Sequence, residues 1–213
     1  MNATSLRNGS VAQAIRTNRL VAILRRIEPR ERLLSLVEEL AEAGIRVFEV
    51  TLDAPSGVDE LVAVRERLSG LTGAFVGAGT LLRREQVDDA VRAGADFGVA
   101  PVFDRVVTSA ALDAGLPFVP AGMTPTEIAT AWDAGATFVK LFPASAVGPA
   151  FVRELRGPMP EVALIPTGGV DAENAVAFLS AGAAAVGIGG ALTRADGPTR
   201  RAFVSSVLAE TAG

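Results

Sequence analysis

The chain has 213 residues, 49% of them apolar, with a formal charge of −4 and a sequence pI near 5.0. That length suits a single domain over 1–213, and the interspersed charges give neither a nucleic-acid footprint nor a basic membrane-binding helix. His, Cys and Tyr are absent, which excludes Ser-His-Asp triads, cysteine nucleophiles, disulfides and metal sites built on His or Cys.

Residues 1–10 are polar and lack the apolar core of a secretory signal, so a cytoplasmic location is expected. An extension over 1–19 carries a helix from about Val11 to Asn18, placed to close the bottom of a barrel. From there one pattern repeats: a helix end, a Gly stop, a short apolar strand, then a polar or Gly/Pro turn. The stops are Gly44, Gly70, Gly94, Gly115, Gly135, Gly157 and Gly182, spaced 20–26 residues apart. The strands predicted around them are 20–24, 46–51, 74–77, 95–100, 117–119, 137–141, 163–165 and 185–188. They are short and apolar on both sides, as strands covered by helices are. Between the first two, Leu33, Leu36, Val37 and Leu40 mark a helix with one apolar stripe. Eight β/α units predict a (β/α)₈ TIM barrel, a closed parallel sheet with an extra N-terminal helix. An open doubly wound sheet is the alternative, but no dinucleotide fingerprint comes after its first strand.

In such barrels the chemistry sits where strands end. Those ends carry Arg25, Glu49, Thr80, Pro101, Lys140 to Phe142, Thr167 to Gly169, and Gly189-Gly190. Lys140 is the chain's single lysine beside 19 arginines, and its neighbours are Phe138, Val139, Leu141 and Phe142. Arginine cannot supply a free amine at working pH, whereas a desolvated lysine can, and only a free amine condenses with a carbonyl. Strand alternation puts Phe138, Lys140 and Phe142 on one face, and Val47, Glu49 and Thr51 on one face. Lys140 and Glu49 therefore meet inside the mouth, either as an imine-forming amine with its proton-transfer partner or as a buried ion pair that only fills the barrel. Glu49 would move protons through a bound water, while Thr80 and Thr167 would hydrogen-bond the carboxylate next to the imine. The loops after the last two strands, with Gly168-Gly169 and Gly189-Gly190, occupy the usual phosphate position of barrels. This chemistry calls for no cofactor and no metal.

The segments Phe48-Glu49-Val50-Thr51-Leu52, Val76-Gly77-Ala78-Gly79-Thr80, Val139-Lys140-Leu141-Phe142-Pro143-Ala144 and Pro166-Thr167-Gly168-Gly169-Val170 resemble the 2-keto-3-deoxy-6-phosphogluconate (KDPG) aldolases and their relatives acting on 4-hydroxy-2-oxoglutarate. The resemblance runs from about Leu20 to Leu192. It implies Lys140 as the imine-forming residue, Glu49 in proton transfer, Thr80 and Thr167 at the carboxylate, and Phe142 and Pro101 lining the pocket. It further implies a homotrimer, and pyruvate and glyceraldehyde 3-phosphate as products. Two positions depart from the pattern: Asp53 stands where well-known members carry Arg, and Ala191 where Ser is frequent. Arg25 is a candidate for the missing charge, and the stretch from Phe142 to Pro149 resembles the branch acting on the galactonate-derived acid. A metal-dependent aldolase using Glu49 and Asp53 as Mg²⁺ ligands is a second reading. A non-catalytic sugar-phosphate-binding barrel is a third.

Overall fold

The computed structural model describes residues 3–209. The first two residues of the N-terminal extension, with the chain's α-amino group, and residues 210–213 lie outside the described residues. The strands are β1 Leu20–Leu24, β2 Val47–Thr51, β3 Phe75–Gly79, β4 Gly98–Val99, β5 Phe118–Val119, β6 Ala121–Gly122, β7 Val139–Leu141, β8 Leu164–Pro166 and β9 Val186–Ile188. All pairings between them are parallel, in a six-stranded order β5-β4-β3-β2-β1-β9 and a three-stranded order β6-β7-β8. The fold is therefore a parallel α/β fold with a curled sheet and a helix between successive strands, except between β5 and β6.

The two sheets meet at both ends. β5 and β6 are one run of chain interrupted at Pro120, which has no N–H for a ladder. The Pro120 carbonyl still accepts from the Lys140 amide at 2.9 Å, and the Phe118 carbonyl from Thr137 at 2.8 Å. At the other junction the Ala184 amide donates to the Leu164 carbonyl (2.9 Å), and Thr167 bridges Gly187 in parallel.

Alternation sorts each strand between two cores. Leu20, Ala22 and Leu24 on β1, with Phe48 and Val50 on β2, belong to the outer core shared with the helices. Val21, Val47, Phe97, Val99, Val119, Phe138 and Ile165 turn the other way and pack as an inner core. The helix Ser10–Asn18 plugs that inner core from below with Val11, Ala12 and Ile15, in the position expected of it. Asn18 ties the plug to the wall: its amide side chain donates to the Gly44 carbonyl (3.0 Å) and accepts from the Arg46 amide (2.9 Å).

Five of the seven Gly stops, Gly44, Gly94, Gly115, Gly135 and Gly182, take positive φ as helix-ending turns require. Gly70 and Gly157 do not. The helix Gly57–Leu68 runs out through a right-handed Ser69, and the left-handed turn falls later, at Gly73. The helix Gly148–Leu155 exits through a right-handed Arg156, and the turn after it is made without a left-handed residue at Gly157.

Candidate active site

β7 turns Lys140 inward between Ala121 of β6 and Ile165 of β8, and β2 turns Glu49 inward between Ile23 of β1 and Gly77 of β3. Both side chains are buried, Lys140 at 5% exposure and Glu49 at 2%. Lys140 Nζ lies 4.0 Å from Glu49 Oε1, and that oxygen has no hydrogen-bond partner among the described residues. A purely structural ammonium–carboxylate contact closes to about 2.8 Å, so this pair leaves its strongest interaction unmade. The Lys140 ammonium also faces the Phe142 ring, 5.3 Å from its centroid.

Three inner-wall glycines make the room. A Cβ on Gly79 would stand 2.1 Å from Glu49 Oε1, one on Gly77 2.4 Å from the Phe97 ring, and one on Gly187 2.3 Å from Thr167 Oγ1. Thr167 is 5% exposed and its hydroxyl donates to the Ile165 carbonyl at 3.2 Å.

Above Lys140 opens a cavity of about 340 Å³, within the range of small-molecule sites. Of the residues expected at the mouth, Arg25, Phe142, Thr167, Gly168, Gly169, Gly189 and Gly190 line it. Gly168 and Gly169 have φ of +85° and +77°, and a Cβ on Gly168 would meet the Phe142 ring at 2.9 Å. Thr80 reaches the site through a neighbour: its Oγ1 accepts from Arg25 Nη2 at 3.2 Å. Pro101 is half-buried after β4 and is not part of the lining. Below Lys140 a void of about 10 Å³, bounded by Glu49, Thr167, Phe97 and Ile15 among others, is at the lower limit for one water molecule.

Asp53, where the resemblance would place a cation, holds two. Its Oδ2 lies 3.2 Å from Arg26 Nη2 and 3.8 Å from Arg25 Nη1, and its carbonyl accepts from Arg26 Nη2 at 2.8 Å. Arg26 and Thr80, on either side of this cluster, both sit in the left-handed region, at φ of 48° and 61°. Such conformations persist only where surroundings enforce them, and they gather at functional sites. Asp53 is thus engaged by guanidinium groups, which compete with any role as a metal ligand. Arg194 and Asp171 also line the cavity, and sequence reasoning missed both. The one signal for Arg194 is its place three residues beyond Ala191, in the loop after the last strand.

A buried lysine facing a buried glutamate, at the strand ends of a parallel α/β fold, puts an amine and a carboxylate side by side beneath the mouth cavity. The sequence pattern of the KDPG and KHG aldolases matches residues 11–200, and the chain belongs to that family of carbon–carbon lyases. It is 36% identical over 183 residues to the 2-dehydro-3-deoxy-6-phosphogalactonate aldolase of Escherichia coli K12, covering 85% of this chain and 88% of that protein. The KHG/KDPG aldolase of the same organism is 31% identical over 164 residues, 76% of each chain. The KDPG aldolase of Legionella pneumophila, solved with pyruvate captured as a covalent carbinolamine, superposes with a TM-score of 0.79 at 26% identity, covering 92% of this chain and 95% of that one.

Proposed function

We propose that Lys140 forms the imine and Glu49 moves the protons in cleavage of a phosphorylated 2-keto-3-deoxy sugar acid to pyruvate and glyceraldehyde 3-phosphate. The observation that carries this reading is the chain's single lysine, buried at the floor of the mouth with its Nζ 4.0 Å from an unpartnered carboxylate oxygen. The neutral amine adds to the C2 carbonyl, and the new oxyanion takes a proton to give a carbinolamine. Loss of water leaves a protonated imine. Glu49, directly or through one bridging water, then takes the proton of the C4 hydroxyl. The C3–C4 electron pair moves into an enamine as the aldehyde departs. Protonation at C3 regenerates the iminium, and addition of water at C2 releases pyruvate and the amine. Each proton move needs an acid or base within reach of C2 to C4, and Glu49 Oε1 lies 4.0 Å from the nitrogen to which C2 would be bonded.

Around this pair, Thr167 and Arg25, the latter steadied by Thr80 and Asp53, bind the carboxylate next to the imine. Phe142 covers the amine, and the backbone of Gly168-Gly169 and Gly189-Gly190 faces the distal phosphate. Pro101 belongs to the outer rim of this arrangement. The same imine chemistry extends to the galactonate-derived acid, favoured by the identity to the 2-dehydro-3-deoxy-6-phosphogalactonate aldolase, and to 4-hydroxy-2-oxoglutarate. The two sheets act as one closed eight-stranded barrel, a reading supported by the contacts at Pro120 and Thr167, and the chain as one domain. A homotrimer fits the exposed apolar side chains Leu82, Val102, Val106 and Met123, which come after β3, β4 and β6.

Incubation with pyruvate and borohydride, followed by peptide mass mapping, tests the assignment. The chain offers two amines, Lys140 and its N-terminus, so the expected adduct on the Lys140 peptide is unambiguous. Lys140→Arg should abolish both adduct and turnover. A non-catalytic phosphate-binding barrel would keep its ligand affinity in that variant.

A further inference from the structure

Three cationic side chains and one carboxylate, Asp171, line the mouth cavity. Two of the cations have partners: Lys140 faces Glu49, and Arg25 is held by Asp53 and Thr80. Arg194 is different. Its backbone amide closes the short helix Gly190–Thr193 onto Gly190, but among the described residues its guanidinium makes no ion pair and no hydrogen bond. Among the described residues Asp171 makes no ion pair with it, and one oxygen of that carboxylate accepts from the Glu173 amide at 3.0 Å.

Arg194 is exposed, and its guanidinium rests against Gly190. A Cβ on Gly190 would stand 2.7 Å from Arg194 Nη2 and 2.8 Å from its Cζ, so the fork lies directly over the bare backbone of Gly190. The neighbouring Ala191 lines the same cavity and has no hydroxyl to donate. Arg194 thus brings a full charge and a planar set of donors to the place where a small hydroxyl is missing. That geometry suits bidentate binding of a phosphate monoester better than a single carboxylate oxygen or a sugar hydroxyl.

We propose that Arg194 selects phosphorylated over unphosphorylated substrates, by pairing its guanidinium with the distal phosphate above Gly190. The inference rests on the imine reading of Lys140 and adds a residue to it. Arg194 takes no part in bond making; it sets which acid is held long enough to react. The glycine at 190 is part of the device, because any side chain there would push the guanidinium away.

The test compares kcat/KM for a 2-keto-3-deoxy-6-phospho acid and for the same acid without phosphate, in wild type, Arg194→Met and Arg194→Lys. The ratio of the two values should fall about 10- to 100-fold in Arg194→Met, as loss of a charge-assisted bidentate contact predicts. Arg194→Lys should be intermediate, keeping charge without the fork. Inorganic phosphate should inhibit wild type competitively and Arg194→Met far less. Equal losses on both substrates, an unchanged ratio, or a wild type indifferent to the phosphate would overturn the proposal. Borohydride trapping of pyruvate is run on the same samples. Failure of wild type to trap pyruvate on Lys140 would sink the imine reading instead, so the two failures are distinguishable.

Discussion

Replacing Gly79 with Ala adds one methyl group at the most crowded point of the inner wall. The new Cβ would stand 2.1 Å from Glu49 Oε1 and 2.7 Å from both Cδ and Cγ of that side chain. Contacts under 3.0 Å do not survive, so the carboxylate has to retreat by about 1 Å, a misplacement that can cost about 10²-fold in rate. It has little space to enter. Glu49 is 2% exposed, and the next inner-wall position toward the floor, at Gly77, is filled by Phe97. Overpacking of this kind costs about 1–3 kcal/mol, which in a chain of this length lowers Tm by roughly 2–4 °C per kcal/mol. Gly79→Ala should therefore remain folded, trap pyruvate on Lys140, and lose about 10²-fold in kcat in an assay coupled to pyruvate release. If the loss acts through Glu49, combining Gly79→Ala with Glu49→Gln should add almost nothing to Glu49→Gln alone. A folded Gly79→Ala with kcat within about threefold of wild type would refute the idea that the Glu49 position is set from β3. Additive losses in the double variant would refute it equally.

Asp53→Ala should slow pyruvate trapping about two- to fivefold at physiological salt, because Arg25 loses its anchor and partly exposed pairs of this kind contribute up to about 1 kcal/mol; faster trapping would mean that Asp53 acts mainly by repelling the substrate. At the helix Pro125–Asp133, Glu127 accepts from the Met123 and Thr124 amides, and these bonds hold its carboxyl below the usual range. A carboxyl depressed in the folded state contributes stability above its unfolded value and loses it as pH falls through the folded one. The Tm difference between wild type and Glu127→Gln should therefore be full near pH 7 and shrink well below pH 4.5; a difference that does not change with pH would show that the carboxylate charge contributes nothing.

The frame of this molecule is legible because its signals are local. A Gly stop before an apolar run marks a helix–strand junction without reference to the rest of the chain, and strand alternation alone places Lys140 and Glu49 inside. Strand ends are less legible. Residues 95–97 read as strand, yet at Asp96 a side chain stands in for a backbone carbonyl: its Oδ2 accepts from the Val76 amide (2.8 Å) and Arg65 (3.0 Å), while its own amide still donates to the Val76 carbonyl (2.9 Å). The fifth strand reads as 117–119, yet pairing resumes beyond Pro120 as β6. The glycines at 77, 79 and 187 carry no sequence signal for their function, since what forbids a side chain is a residue 20 or more positions away. Arg194 is hidden for another reason: one arginine among 19 looks like surface charge until its loop is folded over the mouth.

The inner core explains why the amine and the carboxylate can be kept at the floor at all. Burying two charges costs several kcal/mol each before their attraction is counted, and well-packed apolar residues of the same volume are often as stable or more so. Apart from Thr167, the packing beneath the pair is apolar: Ile15 from the N-terminal helix, with Phe97, Val99, Val119, Phe138 and Ile165 from the wall. A fold filling its interior for stability alone would continue that packing through the positions of Lys140 and Glu49. It instead holds them 4.0 Å apart, with a carboxylate oxygen unpartnered and a glycine opposite it. On the proposed reading, that arrangement withholds stabilisation from the resting protein and leaves it for groups that arrive with the substrate, where interactions made only in the transition state accelerate the reaction. The plug of Val11, Ala12 and Ile15 belongs to the same logic, because it keeps water from reaching the pair from below.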